Sequence, residues 1–284
     1  MNSDHPTHSY ADAHDQLPPR HGASTARTPR RADLAGRTPR IERLQRAYCA
    51  VVASLWMSIG SVCALWPALT GRLLPWALPP LHARCFGAMH FACALGLWLA
   101  LRRDDAAVTR IPLASTAAWC AVLAVTAPWS AARPVQIAWT VAFGAVALAA
   151  IALLWFGREL QAPAERPDRA WQAVAAVSTL AAVTLLLFPA TAAAAWPWKL
   201  PRALAIAYAA PFIGFGLTAW MVAYERRRNV RDATAPALGA LGVGVLAASA
   251  LHHATFDWAR VVTWIWFGAF AALTGLSFVR LRRR

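Results

Sequence analysis

Charge is scarce in this sequence and almost one-sided. Only 14% of its 284 residues are Asp, Glu, Lys or Arg, against about a quarter in an ordinary soluble domain. A single lysine, Lys199, stands among 28 basic residues, and 13 acidic residues leave a net charge of +15. With 58% hydrophobic side chains and a mean hydropathy of +0.42, the composition excludes a soluble globular domain; the chain needs a solvent other than water.

Other absences narrow the function. No Asp, Glu, Lys or Arg falls near the centre of any apolar run, which removes the acidic relay usual in proton- and sodium-coupled transporters. The five cysteines, Cys49, Cys63, Cys85, Cys93 and Cys120, all lie in or at the edge of those runs and read as small packing residues, not a disulfide framework. There is no phosphate-binding glycine loop, metalloprotease histidine pair or nucleophile elbow. No apolar stretch precedes about residue 47, so a cleaved secretory signal is not expected and the first run reads as an uncleaved signal-anchor.

What the chain does have is long continuous apolar runs, and crossing a bilayer as helix takes about 20 such residues. Eight runs lie between successive charges, giving expected spans at 47–69, 84–101, 111–129, 135–156, 171–188, 203–224, 235–252 and 260–279. Continuous apolarity favours helix over a transmembrane barrel, whose strands alternate. The fold class expected is an all-α membrane protein of eight transmembrane helices.

The basic residues sort by loop. Alternate connections hold Arg102, Arg103 and Arg110, then Arg158, Arg166 and Arg169, then Arg226, Arg227, Arg228 and Arg231; with the N-terminal segment and the tail from Arg280, 22 of 28 fall on one side. By the positive-inside rule that side is cytoplasmic and holds both termini. The charge excess therefore reports topology, and no nucleic-acid partner is expected. Residues 1–46, polar and rich in Pro, Ser, Thr, His and Arg, read as a disordered cytoplasmic arm, with Arg37, Arg40, Arg43 and Arg46 near anionic lipid headgroups.

Tryptophan prefers the headgroup boundary. Trp66, Trp76, Trp129, Trp196, Trp198 and Trp258 fall at the outer ends of the spans, and Trp98, Trp155, Trp171 and Trp220 at the inner ends; Trp56 and Trp119 lie deeper and are expected between helices.

The chain also resembles itself. At an interval of 122, residues 65–103 match without a gap at Leu65/Leu187, Pro67/Pro189, Pro75/Pro197, Trp76/Trp198, Pro79/Pro201 and Trp98/Trp220, among others, while Phe143-Gly144-Ala145 falls over Phe267-Gly268-Ala269 at 124. The expected architecture is two four-helix units, 47–160 and 171–284, parallel because each contains an even number of spans. The corners Pro75-Trp76-Ala77-Leu78-Pro79 and Pro197-Trp198-Lys199-Leu200-Pro201 read as membrane-surface turns, proline ending a helix and tryptophan holding the interface, or as lids over an outward cavity.

The apolar span ending in proline, the segment Pro75 to Leu81, then Ala83-Arg84 and Gly87-Ala88 opening the next span, resembles uncharacterised bacterial multi-pass membrane proteins and is reminiscent of the four-helix DoxX-like group. The likeness covers about 40 residues of helix-end pattern and implies no reaction. Ile206 stands in the second copy where the first has Arg84, so any role of that outer polar residue belongs to one half.

The remaining polar residues gather towards the outer side. His90 lies about two turns into the second span beside the stripe Cys85, Met89 and Cys93, His82 precedes them, and His252, His253 and Asp257 end the seventh span. Imidazole and sulfur suit copper or haem iron, with Asp257 orienting His253. The plainer reading has His90 bonded within the helix bundle, the sulfurs as core and the paired histidines as a wet interface. No cofactor is assigned. Gly239, Gly242 and Gly244 give the seventh span a surface another helix can approach closely. Three functions fit: a small-solute or lipid-handling permease; a non-catalytic scaffold or accessory subunit with a membrane-protein partner or a second copy; and, third, a membrane redox component. Arginine-rich, lysine-poor usage suggests a bacterial inner membrane.

Overall fold

The structure, a computed structural model, describes residues 38–74, 78–103, 106–126, 134–156 and 167–282; residues 1–37, Pro75, Trp76 and Trp129 lie outside them. Eight long helices follow one another: α1 Thr38–Leu65, α2 Pro80–Leu101, α3 Ala106–Thr126, α4 Pro134–Phe156, α5 Arg169–Leu187, α6 Arg202–Tyr224, α7 Arg228–Leu251 and α8 Val261–Arg282. There is no strand among the described residues, and each helix is long and apolar enough to cross a membrane.

Helix starts follow local chemistry. Pro80 and Pro134 occupy the first helical position, where a missing N–H costs nothing, and the Asp168 carboxylate caps α5 by accepting from Ala170 N at 3.1 Å. Two boundaries differ most from the sequence expectation. α1 begins at Thr38, so the last nine residues of the supposed arm are helical, and α7 begins at Arg228, well before 235. In both cases the helix extends through polar residues beyond its apolar run, which hydropathy alone does not register.

Burial divides the helices into two classes. Between 56% and 67% of each span is buried in α2, α3, α6 and α7, against 17% to 28% in α1, α4, α5 and α8. The first four form the core, and the second four clad it. α1 lies on α2, α5 on α6, α4 on α3 and α8 on α7, while the core is closed by α2 against α7 and α3 against α6. All three internal prolines, Pro112, Pro211 and Pro236, sit in core helices, where neighbouring helices can re-satisfy the freed backbone.

The buried positions recur. At an interval of 122, Cys49/Trp171, Ala53/Ala175, Ala83/Ala205, Phe86/Tyr208, Val108/Val230 and Thr116/Leu238 are buried in both members. The recurrence carries through α3 and α7. In the last helices the interval is 127, pairing Gln136 with Thr263, Phe143 with Phe270 and Ala150 with Ser277. The Phe-Gly-Ala match at 124 therefore does not align the buried faces, since Phe143 is buried and Phe267 is not. α7 runs three residues further in the repeat register than α3, and the connection before α8 is two residues longer than the one before α4, which together make up the shift of five. Conformation recurs as well: Trp66 has φ −128°, ψ 62° and Phe188 φ −127°, ψ 55°, each directly before the proline that opens a short helical turn.

Tryptophan placement is met in part. Trp66, Trp258, Trp98, Trp155 and Trp220 are exposed on the bundle surface, with the Arg102 guanidinium 4.3 Å over Trp98. Trp56 and Trp119 are buried and stacked on each other at 6.3 Å. Trp171 and Trp198 contradict the anchor reading: they are 2% and 6% exposed, because tertiary neighbours cover both rings. Pro197 is buried beside Trp198, whereas Pro79 and Pro201 are exposed at the starts of α2 and α6.

Candidate functional site

The four core helices meet around a cavity of about 30 Å³, room for about two waters. α2 contributes Cys93 and Gly96, α3 contributes Ile111, Pro112, Ser115 and Thr116, α6 contributes Phe215 and Thr218, and α7 contributes Ala233, Thr234, Ala237 and Leu238. These twelve residues are six pairs at the interval of 122, such as Gly96/Thr218 and Ser115/Ala237. Ala92 and Val108 complete the wall.

Four hydroxyls line an otherwise apolar space. Ser115 Oγ and Thr218 Oγ1 both donate to the Gly214 carbonyl at 3.0 Å, and Thr234 Oγ1 donates to Val230 O at 3.2 Å. Gly214 is what lets α3 come this close: a Cβ there would stand 3.2 Å from Ser115 O and Oγ. With their protons committed to backbone carbonyls, Ser115, Thr218 and Thr234 keep oxygen lone pairs as acceptors.

One turn from Cys93 and from Ser115 lies a buried aromatic group. His90 donates from Nδ1 to Phe86 O at 2.7 Å and is met edge-on by Trp56 at 5.1 Å and Trp119 at 5.2 Å. Trp119 in turn abuts Phe215 of the cavity wall at 5.7 Å. The indole N–H groups of Trp56 and Trp119 are buried with no hydrogen-bond partner among the described residues, which costs about 1–3 kcal/mol each.

A second polar group joins the two halves of the chain at the end of the core where α2 and α6 begin. The Trp198 indole donates to His82 Nε2 at 3.3 Å; that nitrogen then accepts, so Nδ1 carries the proton and donates to Tyr208 Oη at 3.2 Å. The Lys199 carbonyl, 3.4 Å from Nε2, competes for it only in the other tautomer. Tyr208 and Phe86, themselves 122 residues apart, meet at 4.8 Å.

The residues singled out for metal do not assemble. Among the described residues, no three of His, Cys, Asp or Glu come together to hold an ion. His90 is bonded to its own helix; His252 lies 2.6 Å from the Arg84 guanidinium, His253 is exposed, and Asp257 caps Ala259 N at 3.1 Å. Burial, and then the Arg84 charge, hold the His252 pKa below its ordinary value, and a neutral imidazole is what Arg84 can donate to. Arg84 thereby ties α2 to the end of α7.

The glycine surface of α7 is used within the chain. Gly239 and Gly242 face Ser277 and Thr274 of α8, and Gly244 faces Ala88 of α2. Sequence reasoning missed the cavity hydroxyls, and the repeat gives no signal for them, because at the interval of 122 each falls on a residue without one: Ser115 on Ala237, Thr116 on Leu238, Thr218 on Gly96 and Thr234 on Pro112. No family model matches the chain, and neither a curated protein nor a solved structure does.

Proposed function

We propose that this chain is a small-solute permease of a bacterial inner membrane, formed by duplication of a four-helix unit, with parallel halves and both termini in the cytoplasm. The observation that carries it is the central cavity, lined in pairs at one interval where the four core helices meet; duplicated bundles enclose their path at the repeat interface. The recurring burial and the matched Trp66 and Phe188 backbones support the duplication, and the one-sided arginines support the orientation.

Acceptor oxygens on the cavity wall and unpaired indole donors beside it suit a small neutral solute that both donates and accepts hydrogen bonds. Such a solute recovers the cost of the buried Trp56 and Trp119 N–H groups as it passes. The scaffold alternative drew on a glycine face open to a partner, and in this chain that face is filled by α8 and α2.

The test is flux into reconstituted vesicles across a panel of small polar solutes. Wild-type protein passes at least one of them, and Thr218→Leu, which fills the cavity, lowers that flux by about tenfold or more while the unfolding midpoint moves little. Vesicles that stay tight to every solute, or a Thr218→Leu variant that conducts as wild type does, would refute the reading.

A further inference from the structure

At the end of the bundle where α5 and α7 begin and α8 stops, a second and larger cavity of about 240 Å³ opens between these three helices, lined by Trp171, Arg228, Arg231, Asp232, Ala235 and Arg280. We infer that it is a binding site for a phosphate-bearing anion, supplied by the headgroup of an anionic phospholipid. It is independent of the central cavity and of any transport through it.

Three guanidiniums around one space demand a counter-charge. Asp232 supplies one, and Asp168, which caps α5, is paired with Arg280. Two carboxylates against three arginines leave the site positive even if each neutralises one. Among the described residues, the surrounding ends of α5 to α7 add Arg169, Arg226 and Arg227 against Glu225. A guanidinium presents its N–H donors as a planar fork that matches phosphate oxygens two at a time. The Asp168 pairing holds Arg280 at the rim, and the buried Trp171 ring offers an apolar wall to whatever carries the phosphate.

The fold does not require these charges. The positions 122 residues before Trp171, Arg228 and Arg231 are Cys49, Ala106 and Thr109, and the position 127 before Arg280 is Leu153. In the first half the corresponding tie between outer helices is a neutral one, Gln45 Nε2 donating to Leu153 O at 3.2 Å. The arginines are an addition made in one half alone.

Depth identifies the source. Trp171 is in the first turn of α5, Arg228 and Arg231 are in the first turn of α7, and Arg280 is in the last turn of α8. α5 and α8 are cladding helices with most of their spans unburied. The cavity thus opens beside lipid at headgroup level, on the side where arginine accumulates and where basic pockets between helices take anionic headgroups.

The test is the thermal unfolding of the full chain in a non-ionic detergent with phosphatidylglycerol, phosphatidylcholine or inorganic phosphate added. Phosphatidylglycerol raises the midpoint and the others do not; R228Q/R231Q binds it roughly 30-fold more weakly, and R282Q, at an exposed position outside the cavity, binds it as wild type does. R231Q alone covers the case in which the double variant does not accumulate. An equal shift from phosphatidylcholine, or undiminished binding in the arginine variants, overturns the site. Inorganic phosphate giving the full shift overturns the lipid source.

Discussion

Trp198→Ala is expected to cost about 3–5 kcal/mol of stability, the range for emptying a buried tryptophan site. The ring is packed edge-on by Trp266 at 4.8 Å, Phe256 at 5.0 Å, Trp196 at 5.7 Å and His82 at 5.8 Å, and its N–H donates to His82. Alanine would open a cavity where α2, α6 and α8 converge and leave His82 Nε2 without its donor. Trp198→Phe keeps most of the packing and loses only the bond, so its expected cost is nearer 1 kcal/mol. Denaturant unfolding in detergent measures both. A tryptophan that merely anchored the loop in the headgroups would lose well under 1 kcal/mol in either substitution, and that result would return Trp198 to the bilayer surface.

The second large effect lies at the crossing of α2 and α7. A Cβ on Gly244 would stand 2.7 Å from the Ala88 Cβ and 3.4 Å from its Cα. A methyl fixed to the backbone cannot rotate away, so Gly244→Ala must push the two core helices apart, at an expected cost of about 1–3 kcal/mol. Helices in lipid gain no hydrophobic drive from one another, and close packing is what holds them. Moving the methyl instead of adding one, by Gly244→Ala with Ala88→Gly, restores the space and should recover most of the loss. If the double variant is as unstable as the sum of the two single ones, the helices do not cross at this point.

Much of the bundle was legible because a bilayer simplifies the reading. Eight uncharged runs predict eight helices, since no other backbone arrangement satisfies its hydrogen bonds in lipid at that length and pattern. The corner prolines predict the breaks after α1 and α5, and Pro67 and Pro189 open matching turns. Trp171 and Trp198 were misread because a tryptophan at a helix end has the same sequence position whether it faces lipid or a neighbouring ring. Trp198 meets Trp266 and Phe256 from far along the chain, and only the fold supplies them. The register of α8 was hidden for a different reason: alanine-rich helices offer chance identities such as Phe-Gly-Ala, while burial shifts the match to Gln136/Thr263 and Phe143/Phe270. The central cavity was out of reach from sequence because its hydroxyls come from three helices, and each taken alone is an unremarkable Ser or Thr.

The parallel four-plus-four arrangement is tested most directly by single cysteines placed at Leu74, Lys199, Arg103 and Arg226 in a cysteine-free background, labelled on intact cells with a membrane-impermeant maleimide. Positions 74 and 199 should react from outside, and 103 and 226 only after the membrane is opened. Reaction of 74 and 199 from opposite sides, or of 226 from outside, would contradict the arrangement.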